Sequence, residues 1–214
     1  MYVPSEQYSK MSALDKLLAQ TVASVIRKNL GEKSYLSIES RLKERWNITV
    51  ADAIPDFIKL DAILREFFGA GADAIEHDII NKIFSLQSSK KGKSLISIES
   101  HELSKEVLET YGNSEKRTIL NFAFKKPAPI LDILEGCNLP KSTGYRVIGE
   151  LVNDGFLTEV GFSTTSDGKK VSKYTSIFYE IMINIKLENI TVNVLLTDDV
   201  LMESNLVRVL QGRF

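Results

Sequence analysis

The sequence predicts an α+β protein: an all-helical N-terminal domain, then a smaller helical unit that ends in strands and a terminal helix. Three observations carry this. Apolar residues recur every three or four positions up to about residue 86. From Gly155 onward they alternate instead, the period of strands with one buried face. Between these regions lies "QSSKKGKS" (87–94), polar, small and basic, the composition of a linker. The chain has 214 residues, more than one small core needs. Its 43% hydrophobic and 26% charged content provides enough apolar area to offset chain entropy, which excludes a disordered chain.

The first element runs from Ser12 to Gly31, with Leu14, Leu17, Leu18, Val22, Val25, Ile26 and Leu30 on one stripe. Ser12 is placed to cap it, Asp15 stands where a capping box has its acidic partner, and Gly31 supplies a left-handed stop. A second helix is expected over Tyr35–Trp46, where Ile38, Leu42 and Trp46 recur every four residues, and Asn47 ends it. Thr49 and Asp52 signal another start. Pro55 suits the first turn of a helix reaching Phe68, which buries Phe57, Leu60, Leu64, Phe67 and Phe68. "GAGA" (69–72) breaks the chain. A helix from Asp73 to Leu86 then buries Ile75, Ile79, Ile80, Ile83 and Phe84. Residues 1–88 thus read as a helical sensor or partner-binding domain. Its aromatic residues Trp46, Phe57, Phe67 and Phe68 form core, with a ligand pocket between helices as the alternative.

Residues 89–112 read as linker plus a connecting helix, His101–Tyr111, with Leu103, Val107 and Tyr111 on one side. "KSYLSIES" at Lys33 and "KSLISIES" at Lys93 differ at two positions of eight, but their flanks do not match, so no repeat is inferred. From Ser114 the order changes. A helix Glu115–Lys125, capped by Ser114, is followed by a short helix Pro129–Gly136, a turn, and a helix Lys141–Asp154. Strands Gly155–Ser163 and Lys170–Phe178 follow, with a turn centred on Asp167-Gly168. Two more strand segments meet near Leu187–Asn189, and a helix from Asp198 to Leu210 closes the chain.

Helix, helix, tight turn, helix, hairpin is the order of a winged helix-turn-helix. In that arrangement the third helix lies in the DNA major groove and the hairpin reaches the sugar-phosphate backbone. It is expected over 113–180, with 181–214 as an extension that adds to the sheet or to a dimer seam. Asn138 would take the positive φ of the turn, Leu139 tuck under it, and Pro140 start the helix. Gly144, Ile148 and Leu151 then face inward with Val147 and Val152 beside them. Lys141, Ser142, Thr143, Tyr145 and Arg146 face outward. Arginine pairs with guanine edges or phosphates, and hydroxyls and helix-start amides bind phosphate. Lys169, Lys170 and Lys173 on the hairpin are either further phosphate contacts or solubilising charges on an edge.

"ILEGCNLPKSTGYRVIGELVNDGFLTEVG" resembles the winged-helix core of archaeal ArsR-like and IclR-like regulators. The resemblance covers about 114–178 and implies DNA binding through the residues just named. Gly144 departs from it, standing where a core apolar residue is usual. Glycine costs about 1 kcal/mol of helix propensity against alanine and is expected to seat the helix loosely. "LDKLLAQTVASVIRKNLGEK" and "FIKLDAILREFFGAGADAIEHDIINKI" resemble the small archaeal family called Nitrosopumilus output domain five. That implies a helical module fused to regulatory proteins, with no catalytic residues to carry over.

Formal net charge is −1, and 114–178 holds nine basic against seven acidic residues. One copy is therefore expected to bind DNA weakly, since affinity rests on neutralising phosphates, and a homodimer on a pseudo-palindromic site is expected. Cys137, the one cysteine, suits a reducing cytosol; it reads as a small core residue, with a redox sensor as the alternative. "MYVPSEQYSK" has no apolar leader core and no run approaches a membrane span, so a cytoplasmic location is expected. His77 and His101 have no metal-like spacing, and Asp52, Asp56 and Asp61 read as solvated helix-face charges, so no metal is expected. There is no phosphate-binding glycine loop and no nucleophile elbow, so no enzyme activity or cofactor is expected. The sequence thus points to a DNA-binding regulator, its N-terminal module responding to a small-molecule or protein effector by changing the spacing of two recognition helices. The alternative is a protein-interaction adaptor that uses the same scaffold.

Overall fold

The computed structural model describes residues 11–210 apart from 91, 166 and 188. The N-terminal decapeptide without a leader core, Lys91 of the expected linker, Ser166 and Glu188 of the two hairpin turns, and residues 211–214 lie outside the described set. The protein is α+β, with helices and strands in mixed order along it.

Helix α1 (Ala13–Trp46) is two helices joined at Gly31, whose φ of 80° and ψ of 158° break the spiral for one residue. Ser12 caps it by accepting from the Asp15 amide, and Asn47 ends it in the left-handed conformation. A 3₁₀ turn (Ala51–Asp56) leads into α2 (Phe57–Phe68), and a second one (Gly69–Gly71) into α3 (Ala72–Asn81). The expected helix to Leu86 stops five residues early. β1 (Phe84–Lys90) and β2 (Lys93–Ile98) form an antiparallel hairpin where the helix end and the linker were expected. Ile83 and Phe84 are still buried, so their apolar character was read correctly and their period was not.

After the connecting helix α4 (His101–Gly112) come α5 (Ser114–Lys125), β3 (Ala128–Pro129), α6 (Ile130–Gly136), α7 (Lys141–Asn153), β4 (Leu157–Thr164) and β5 (Lys170–Ser176). The α5 cap is Asn113, which accepts from the Lys116 amide, not the expected Ser114. The last elements are β6 (Phe178–Lys186), β7 (Asn189–Thr197), α8 (Asp198–Met202) and α9 (Asn205–Leu210). The single closing helix is thus divided at Ser204, whose hydroxyl accepts from the Val207 amide and starts the second piece.

Two sheets result. One has strand order β3-β5-β4; the other has order β1-β2-β7-β6. In the second, Lys93–Ile98 pairs antiparallel with Val192–Thr197, so a segment placed in a linker is an inner strand. The N-terminal part is therefore not all-helical, and its hairpin shares a sheet with the C-terminal extension. The first half of α1 lies over this sheet: Leu14, Leu17 and Leu18 line a small apolar gap with Phe84, Ile96, Ile98, Phe178, Val194 and Leu196.

Asp15 lies in this layer, fully buried. Its amide donates to Ser12 Oγ and its carboxylate also bonds Ser12, the local pairing the sequence suggested, but it does more. Ser204 Oγ donates to its Oδ1 at 2.6 Å, and the Asn205 amide to its Oδ2 at 3.0 Å, so a carboxylate from α1 satisfies the buried start of α9. Burial outweighs these donors and raises its pKa above the ordinary carboxylate value.

Candidate nucleic-acid interface

The expected DNA-contacting residues sit on α7 and on the β4–β5 hairpin. Helix α6 stops at Cys137, and Asn138 takes φ 52°, one of two non-glycine positive φ values among the described residues. The Leu139 amide bonds back to the Leu134 carbonyl at 3.1 Å, which folds the turn under α6. Helix α7 then presents two faces. Gly144, Val147, Ile148 and Leu151 are buried; Lys141, Ser142, Tyr145 and Arg146 are exposed, and Thr143 is half-buried. The inward and outward sets are those the sequence assigned, except that Thr143, expected to face outward, is half-buried; Val152, beside the inner face, is partly covered.

Gly144 does the opposite of what was expected. It is buried against α6, and a methyl group in place of its hydrogen would collide with Leu134 Cδ2. The missing side chain lets α6 and α7 approach closely, so the helix is seated by glycine instead of loosened by it.

The electrostatics of this face are mixed. Arg146 Nη1 donates to Glu150 Oε1 one turn on, and Lys116 of α5 reaches the same carboxylate at 3.4 Å. Slight burial would raise Glu150, but the Arg146 and Lys116 bonds dominate together and lower its pKa. Arg146 is therefore pre-engaged along its own helix. Lys141 has no ionic partner among the described residues. On the hairpin, Lys169 pairs with Asp167 at 3.0 Å. Lys170 begins β5 opposite Thr164, while Lys173 is half-buried opposite Pro129 of β3. Being three residues apart on one strand, Lys170 and Lys173 point to opposite faces, so the three lysines do not form one row.

The sequence reading named Tyr145, which is 47% exposed, and missed two apolar groups on β4, Val160 and Phe162, Phe162 being 61% exposed. The signal was available in "EVGF": Gly161 sits in a bulge between Glu159 and Phe162, which shifts the register that alternation assumes.

Two of the places where this unit is joined to the rest involve α1 and an aromatic cluster. Gly155, between α7 and β4, has φ 82°, and a side chain there would strike the Ala13 carbonyl and Leu17 amide of α1. Nearby Lys16 Nζ donates to the Val152 carbonyl at 3.2 Å. At the second joint, the rings of Tyr111, Phe156 and Phe178 meet edge-on or tilted at 5.8–6.5 Å, tying α4, the turn before β4 and β6 together.

Of the other candidate residues, Cys137 is half-buried, its thiol 3.7 Å from the Thr118 carbonyl, and burial pushes its pKa up, away from a reactive thiolate. His77 and His101 are exposed. Phe57 is core, Trp46 and Phe68 are half-buried and Phe67 is exposed. A cavity of about 600 Å³ lies elsewhere, between β1, β2, α8 and α9, lined by Phe84, Leu86, Ile96, Leu201 and Met202, with Ser94 bonded to Asp198 at its polar side. Among the described residues no helix is long and apolar enough to cross a membrane.

Comparison with family models, curated proteins and solved structures found no match for this chain. The family likeness therefore rests on the quoted residues alone.

Proposed function

We propose that the protein is a DNA-binding transcriptional regulator in which residues 114–176 act as a winged helix-turn-helix and bind double-stranded DNA as a homodimer. The observation that carries this reading is the division of α7. Its inner face is fully used by packing, while Lys141, Ser142, Tyr145 and Arg146 are exposed at its first two turns, Arg146 paired with Glu150, behind a turn made at Asn138. A helix start with a lysine, a hydroxyl and an arginine suits phosphate and base edges. The β4–β5 hairpin carries Lys170 without an ionic partner among the described residues and would lie along the flanking backbone.

Two copies supply what one lacks in charge. The seam assigned to them is β6, the edge of its sheet. Its far half and the turn beyond expose Ile183, Ile185, Leu187 and Ile190, with Ile185 73% accessible. Unpaired strand edges with apolar side chains pair readily with another strand, and a second β6 related by a two-fold axis satisfies both. An effector in the 600 Å³ cavity would act on the sheet that joins this seam to α1, and α1 meets the DNA-reading unit at Gly155.

The test is fluorescence anisotropy of labelled genomic duplex against salt. Binding at low salt that weakens steeply with added salt is expected, with Lys141→Ala and Lys170→Ala each lowering the salt slope by about one. A folded protein that leaves the duplex free even at about 20 mM salt removes the regulator reading. A second reading, an adaptor that binds a protein partner through the same face, is favoured by the Arg146–Glu150 pair and by exposed Tyr145, Val160 and Phe162. It is distinguished by the absence of any DNA effect.

A further inference from the structure

Three carboxylates on α2 and α3 converge at one point. Asp61, Asp73 and Glu76 each offer an oxygen, and these oxygens all lie within 4.8 Å of one another. Asp73 and Glu76 are one turn apart on α3, and the Gly69–Gly71 turn folds that face against Asp61. Arg65 answers part of the charge. Its Nε bonds Asp61 at 2.7 Å and its Nη2 bonds Asp73. It leaves Glu76 out. Glu76 is 4% exposed, and its Oε1 has no hydrogen-bond partner, the one such buried side-chain atom among the described residues. Glu76 meets Asp61 carboxyl to carboxyl, so the pair shares a proton that a bound cation would displace, while Glu76 Oε1 has no N–H or O–H donor from the protein.

We propose that Asp61, Asp73 and Glu76 form a binding site for a hard divalent cation. All three donors are carboxylate oxygens, with no nitrogen or sulfur among them, which selects Ca²⁺, Mn²⁺ or Mg²⁺ over zinc or copper. Oxygens bound to one such ion at about 2.4 Å stand at most about 4.8 Å apart, and the three carboxylates meet that limit. Exposed Asp73 leaves the outer side of the site to water, and the exposed Arg65 head has room to swing away as the cation takes its place. A bound ion ties α2 to α3 across the glycine turn. This proposal is independent of whether α7 binds DNA.

The experiment is thermal melting of the full chain, stripped with EDTA, at constant ionic strength with about 5 mM CaCl₂, MgCl₂ or extra NaCl. Calcium or magnesium is expected to raise the Tm by about 5 °C for a dissociation constant near 100 μM, with sodium without effect. Equilibrium dialysis with Ca²⁺ should give one ion per chain. Glu76→Gln keeps the shape and removes the charge; Asp73→Asn, at an exposed position, keeps the fold if the first variant does not. Both lose the calcium shift. No shift and no retained Ca²⁺ in the wild type overturns the proposal, and so does a shift of wild-type size in whichever variant folds.

Discussion

Gly144 sets two effects of one methyl group against each other. Alanine there would gain about 1 kcal/mol of helix propensity. It would also push into Leu134, itself buried and with nowhere to retreat, and overpacking of this kind costs about 1–3 kcal/mol. Packing outweighs propensity, so Gly144→Ala is expected to lower the melting temperature by a few degrees, read by calorimetry; a rise would show that α6 yields. Glu76 makes a second residue-scale prediction. Burial first, then Asp61 beside it, push its pKa up to about 8 from an ordinary 4.5. The folded state therefore holds a proton that the unfolded chain releases earlier. The stability this gives is complete below about pH 4.5 and is lost as pH rises through about 8. In EDTA-treated protein, Glu76→Gln should be more stable than wild type at pH 9 by about 1–3 kcal/mol and nearly equal at pH 5, by urea unfolding. Neither environment was visible in the sequence. Glycine in a helix and a carboxylate at helical spacing read as a weak point and a solvated charge until the facing helix is known.

The elements show where local pattern suffices and where it fails. "KSYLSIES" lies within α1, burying Tyr35 and Ile38 at helical spacing. "KSLISIES" supplies β2, burying Ser94, Ile96 and Ile98 at spacing two. Near-identical octapeptides thus take both structures, because β7 offers one of them a ladder and the α1 core offers the other a stripe. The helices before Phe68 and the turn at Asn138 were legible, since caps, glycines and long apolar stripes are local signals. The β1–β2 hairpin was not, because its partner strand lies about a hundred residues away. Asp15 is the same kind of long-range device. Asp15→Ala would leave the Ser204 hydroxyl and two α9 amides without an acceptor in the core. A loss of about 2–4 kcal/mol is expected, with α9 amides losing hydrogen-exchange protection first. On α7, Glu150→Gln should release Arg146 and remove an acid from the proposed interface. A several-fold gain in duplex affinity is expected by anisotropy; unchanged affinity would take Arg146 out of the interface.

For the whole molecule, the four-stranded sheet ends in an uncovered edge at β6. If this is the seam between copies, Ile185→Glu should convert a dimer into a monomer in sedimentation velocity at micromolar concentration without loss of helix signal. A wild type that sediments as a monomer would move the seam elsewhere or remove it. The clasp between Asp15 and Ser204 spans 189 positions of sequence. At about 5–20 residues per second of translation, the acceptor emerges roughly 10–40 seconds before its donors exist. Throughout that interval the first helix carries a carboxylate on an apolar face, and β2 lacks the strand it will lie beside. Folding of the N-terminal half is thus bound to the synthesis of Ser204 and α9, and a ribosome stalled before codon 204 holds a chain with that face still open to chaperones and proteases.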